Sequence, residues 1–135
     1  MLSSSANASA HVTADSIQGR LIKTITTRGQ FVRFDKNHPD RFFLRDATDQ
    51  MVMNCVMTEP ETDLFLAGHA KDDLKLTYQV RDVTIPGGKT EWLNYAMSIR
   101  SLTTGDDAHS WPQKLASDPD LLARDSVQLK QLRNE

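Results

Sequence analysis

The sequence predicts a small all-β domain: a five-stranded barrel with one short helix between its third and fourth strands, followed by a C-terminal helix. Three observations carry this reading. From Ser16 to about Leu102, apolar and polar residues alternate with a period of two between clusters of turn residues. The period breaks once, at Thr58–Gly68, where the pattern becomes helical. After Leu102 the alternation stops, and Asp118-Pro119-Asp120 opens a second helical pattern.

In chain order, residues 1–15 are rich in Ser and Ala, have little to bury, and read as a disordered leader. The barrel is expected over residues 16–103, and a linker with the C-terminal helix over 104–135. The first strand begins at Ile17, with Thr24, Thr26 and Thr27 supplying β-branched residues; Gly29 interrupts it and Phe31–Phe34 resumes it. A polar loop over Asp35–Asp40 leads to Arg41–Arg45, which forms a hairpin with Met51–Met57 through Ala47–Gln50. Thr58 as a cap, Pro60 in the first turn and Glu59 and Glu61 near the positive end of the dipole predict the helix, which contains Leu64–Ala67 and ends at Gly68.

Two long strands follow, Leu74–Ile85 and Thr90–Leu102, joined by Pro86-Gly87-Gly88-Lys89. In the first, Leu74, Leu76, Tyr78 and Val80 share the face expected to be buried; in the second, Leu93, Tyr95, Met97 and Ile99 do so. Lys75, Gln79, Arg81 and Arg100 are expected to be exposed. In the tail, an apolar stripe from Leu122 through Leu129 to Leu132 either packs over the barrel or serves a partner, in a homo-oligomer or a larger complex.

Composition narrows the functional classes. A chain of 135 residues with 39% hydrophobic and 25% charged residues is an ordinary soluble domain. No run approaches the ~18 apolar residues of a membrane span, so no membrane is expected as a partner. The start of the chain lacks the charged and apolar regions of a secretory signal, and one cysteine permits no internal disulfide; the expected compartment is cytoplasmic. Net charge is −2, so any site for a polyanion must be a local patch.

Nothing in the sequence spells a reaction. Cys55, inside Val52–Met57, reads as a small buried hydrophobe. His11, His38, His69 and His109 fall in the leader, in loops and in the linker, without metal-ligand spacing, so neither a metal nor a cofactor is expected. Gly87-Gly88 reads as a hairpin turn, and Asp72-Asp73 and Asp106-Asp107 as solvated acids. The chain is expected to bind rather than catalyse.

The order of three strands, a short helix and two strands over residues 17–102 resembles the OB-fold, a Greek-key barrel. A different division of the strands would give an SH3-like barrel. The OB resemblance implies a site for single-stranded DNA or RNA across the second and third strands, between the first–second and fourth–fifth loops. At those places the sequence offers Arg41, Phe43 and Arg45, which leave the second strand together if Phe42 and Leu44 point inward. An aromatic ring between guanidinium groups suits stacked bases and phosphates. Lys36 lies in the first of those loops and Lys89 in the second; Trp92 and Arg33 are expected on the same rim.

Over residues 17–103 there are 12 Lys plus Arg against 11 Asp plus Glu, so the barrel as a whole is not basic. Asp35, Asp40, Asp46 and Asp49 lie near the expected site and oppose phosphate. The rival expectation is a protein-interaction adaptor or structural subunit, for which exposed aromatic residues and arginines serve equally. A barrel for a small ligand has less support, because the inward positions carry no polar cluster.

Overall fold

A computed structural model describes residues 17–135; the segment read as a leader, with His11, lies outside the described residues. Five strands, β1 (Arg20–Phe34), β2 (Arg41–Asp46), β3 (Val52–Met57), β4 (Leu74–Thr84) and β5 (Thr90–Ser101), close into a barrel in the order β1-β2-β3-β5-β4. Helix α1 (Thr62–Gly68) joins β3 to β4, and α2 (Trp111–Ser117) and α3 (Pro119–Arg133) follow β5. All ladders are antiparallel except β3–β5, which is parallel over Cys55–Met57.

Closure depends on one long strand serving two neighbours. β1 pairs with β4 from Arg20 to Gly29 and with β2 from Gly29 to Phe34. At the changeover, a Cβ on Gly29 would overlap the Arg45 carbonyl oxygen and the Leu44 side chain, so the glycine permits close approach. The strand is continuous there rather than interrupted.

Phe42, Leu44, Leu74, Leu76, Phe65 and Leu66 are fully enclosed, each contributing about 1.5–3 kcal/mol by burial. Leu74, Leu76, Tyr78 and Val80 are buried as expected, and Lys75 and Arg100 are exposed, while Gln79 and Arg81 are half-buried. On β5, Tyr95 and Ile99 are buried as expected and Leu93 and Met97 are half-buried, but the four do not share one face. The register slips between Thr77 and Tyr78, which face Ser98 and Ala96, leaving Met97 as the extra residue of a bulge. Ile99 and Ala96 therefore line the main core, whereas Leu93, Tyr95 and Met97 join Val56 and Val83 in a second cluster on the outer side.

The helical end departs further from expectation. Thr58 does not cap α1: its hydroxyl donates to the Ala96 carbonyl, and the helix starts a turn later at Thr62, after Glu61 at φ 62°. Part of the expected linker is helix α2, where Pro112 occupies the first turn and Trp111 and Leu115 are buried in the main core. The N-cap of α3 is Asp118, whose carboxylate accepts from the Leu121 amide at 3.1 Å. α3 packs back on the barrel through Leu121, Leu129 and Leu132. Its inward stripe includes the fully buried Asp125, not Leu122, which is exposed.

Candidate nucleic-acid interface

The outer face of β2 is set by strict alternation. Phe42 and Leu44 are enclosed, so Arg41, Phe43 and Arg45 leave the strand on the opposite side. The ladders extend that face: Arg33 of β1 lies opposite Phe43, Gln30 opposite Arg45, and Asn54 of β3 opposite Phe43. The Arg33 guanidinium stands 4.3 Å from the Phe43 ring centroid, a cation–π contact. The half-buried Phe43 thus carries a charged planar cap, and a guanidinium plane is itself a stacking surface for a base.

Among the described residues, Arg33, Arg41 and Arg45 have no salt-bridge partner. The Nε of Arg41 is buried without a hydrogen-bond acceptor, a state that costs about 1–3 kcal/mol when nothing fills it.

Three of the four acids expected to oppose phosphate, Asp35, Asp46 and Asp49, accept hydrogen bonds, whereas no side-chain hydrogen bond or salt bridge holds Asp40 among the described residues. The Asp35 carboxylate accepts from the Asn37 amide at 2.8 Å, from Asn54 Nδ2 at 2.8 Å, and meets His38 Nδ1 at 3.2 Å. Burial alone would raise its pKa, but these contacts hold it below the ordinary carboxylate value. Asp46 is likewise lowered, first by the Thr48 amide and, against desolvation, by the Thr27 hydroxyl. Asp49 accepts from the Met51 amide. These contacts, in turns and across strands, weaken the opposition of Asp35, Asp46 and Asp49 to phosphate without removing their charge, and Asp40 keeps its own.

Lys36 is exposed in the β1–β2 loop, on the same side as Arg33. Lys89 is exposed in the β4–β5 turn, where Gly87 and Gly88 adopt φ of 98° and 83°. Trp92 is 66% exposed but does not share the Phe43 face. It lies opposite Asp82 and has the parity of Ala96, so it leaves β5 on the inner side, before the strand meets β3. The structure therefore gathers Arg33, Lys36, Arg41, Phe43 and Arg45, and places Lys89 and Trp92 on a separate arm. The bulge at Met97 turns Trp92 to the inner side, and Lys89 sits in the turn of the β4–β5 arm, beyond the last β1–β4 pair at Arg20 and Asp82.

Asn54 joins the gathered face as a residue the sequence reading does not pick out, and it binds Asp35, which that reading places there only as an opponent of phosphate. The signal was present: the Ala47–Gln50 connection fixes the hairpin register that sets Asn54 opposite Phe43.

Other reactive groups are tied into the fold. Burial pushes the Cys55 thiol up to about 12, which leaves it protonated and inert. His69, expected in a loop, is buried between Phe65 and Trp111. Among the described residues, no three His, Cys, Asp or Glu side chains are grouped to hold a metal ion, and no helix is long and apolar enough to cross a membrane. Compared with protein-family models, curated proteins and solved structures, the chain matches none.

Proposed function

We propose that this protein is a non-enzymatic, OB-like binding module that takes single-stranded DNA or RNA across the outer face of β2. The observation that carries the reading is the Arg33–Phe43 stack flanked by Arg41 and Arg45, three guanidinium groups without a salt-bridge partner among the described residues. A base stacks on the Arg33–Phe43 pair while Arg41 and Arg45 meet the flanking phosphates. Lys36 extends the cationic edge. Lys89 and Trp92 act only if the strand crosses to the β4–β5 arm.

Fluorescence anisotropy with labelled oligonucleotides at two salt concentrations tests this. Phe43→Ala is expected to cost about 1–3 kcal/mol of binding with little change in salt slope. Arg41→Ala or Arg45→Ala should flatten the slope by roughly one unit for each phosphate that the variant no longer neutralises. Folded wild-type protein that ignores single strands of both DNA and RNA at low salt would sink the reading.

A second reading, a protein-interaction adaptor, draws on α3, whose Leu122 and Val127 are 40% and 58% exposed. Binding through α3 would be insensitive to salt and untouched by Phe43→Ala.

A further inference from the structure

Beside the β2 face, a groove of about 860 Å³ runs between the end of β1, the β1–β2 loop and the C-terminal end of α3. Its size falls in the range of ligand clefts, about 300–1,000 Å³. Arg33, Phe34 and Lys36 line one wall and Leu132 and Arg133 the other. Arg33 is therefore shared: it caps Phe43 and also opens onto the groove.

The α3 wall is fastened to the loop. The Arg133 guanidinium lies 4.5 Å from the Phe34 ring centroid, and its Nη2 donates to the Pro39 carbonyl and to Asp63, each at 3.2 Å. One side chain thus ties the tail helix to β1, to the β1–β2 loop and to α1. Two carboxylates also line the groove: Asp35, with its three hydrogen-bonded partners, and Glu135. Against them stand Arg33 and Lys36, neither held by an acid among the described residues, and Arg133, held through one nitrogen to Asp63.

We propose that this groove is the continuation of the nucleic-acid site: a single strand stacked at Arg33–Phe43 runs on between the β1–β2 loop and α3, with Lys36 on its phosphates. This rests on the reading above and adds a direction to it. It also gives α3 a role in binding, as the brace that holds the loop and forms the far wall. A groove that adjoins the stacking pair, shares Arg33 with it and adds Lys36, neither cation held by an acid among the described residues, suits the phosphates of the same strand.

The test compares labelled oligothymidylates of about 6 and about 14 nucleotides, within the span of site sizes known for single-strand binders. Wild type should bind the longer strand several-fold more tightly. Lys36→Glu, a change at an exposed loop position, should cost the longer strand about five- to tenfold and flatten its salt slope by roughly one unit, while the shorter strand, which meets Lys36 only at the edge of the β2 site, loses roughly threefold less. Lys75→Glu makes the same charge change on β4 and should shift neither length by more than about twofold.

Equal losses on both lengths, or none on either, would overturn the proposal, as would a wild type that gains nothing from added length. A wild type that binds neither oligomer at low salt would instead remove the β2 reading itself, and the extension with it.

Discussion

The outer face of β2 and the helical end of the barrel use the same kinds of side chain to opposite ends. At the helical end, polar groups are closed on one another. His69 lies 4.1 Å from Phe65 and 4.7 Å from Trp111 by ring centroids, with Nδ1 2.7 Å from the Phe65 carbonyl oxygen and Nε2 3.0 Å from Asp106. Asp106 also accepts from Lys114 at 2.9 Å and Thr104 at 2.8 Å, and the enclosed Asp125 accepts from Trp111 Nε1 at 2.9 Å and from Arg124. On β2, by contrast, Arg41 and Arg45 have no acid partner among the described residues, and Arg33 has only a ring. Paired polar groups inside a packed end are architecture. Unpaired cations around an aromatic ring on an accessible strand face are what a ligand can use.

The sharpest way to break this comparison is to damage the helical end and ask whether the β2 face notices. Trp111 is 3% exposed, packs edge-on to Phe65 and supplies a hydrogen bond to Asp125. Trp111→Ala is expected to cost about 3–5 kcal/mol of stability by urea unfolding. The fraction still folded should bind the shorter oligonucleotide, which does not reach the α3 wall, within about twofold of wild type, because Trp111 touches none of the residues of the β2 face. Phe43→Ala should do the reverse, with a stability loss of about 1–2 kcal/mol for a half-buried ring. A Trp111→Ala protein that is folded but has lost binding would mean that the two regions are one unit.

The contrast also explains what the sequence could disclose. Alternation over Arg41–Arg45 and Leu74–Val80 is a local property, and both stretches bury the residues that the alternation indicated. The bulge at Met97 is a property of β5 against β4; no residue in Asn94–Ile99 announces it, and it moved Tyr95 outward and Trp92 off the Phe43 face. α2 was obscured because Thr103–Asp107 looks like a linker and the helix has only seven residues, held by Trp111 and Leu115 in the core rather than by a periodic stripe. Asp125 hid the inward side of α3. A carboxylate is rarely placed in a core, and this one is accommodated by Trp111, Arg124 and the bare Cα of Gly68, where a Cβ would overlap it.

A smaller effect sharpens the paired nature of the helical end. Burial alone would raise the Asp106 pKa, but His69, Lys114 and Thr104 bring it down to about 2. A folded-state pKa below the ~3.9 of an unfolded Asp adds stability that is complete above that value and is lost as pH falls toward the folded one. The amount is on the order of 2 kcal/mol. Asp106→Asn lacks this contribution at every pH. The stability gap between wild type and the variant, read by chemical unfolding, should therefore narrow as pH drops from about 5 to about 2. Asp35, Asp46 and Asp107 are also lowered, but they titrate in both proteins and cancel in the difference. A gap that stays constant with pH would mean that the Asp106 contacts do not stabilise its charged form.

The smallest expected effect separates adjacent residues of α3. Leu121 is half-buried against the main core, whereas Leu122 is 40% exposed. Leu121→Ser should lower stability by about 1–3 kcal/mol, and Leu122→Ser should stay within about 0.5 kcal/mol of wild type. Thermal melts of the two variants side by side measure the rotation of the helix on the barrel, since consecutive residues point about 100° apart. Equal losses would show that Leu122 is covered in solution, by a second copy or by another part of the chain, and that the outer side of α3 belongs with the paired end of the molecule. A neutral melt leaves Leu122 and Val127 exposed on a well-anchored helix. Salt-insensitive binding of another protein, lost in Leu122→Ser without a change in melt, would place the adaptor function on this helix rather than on β2.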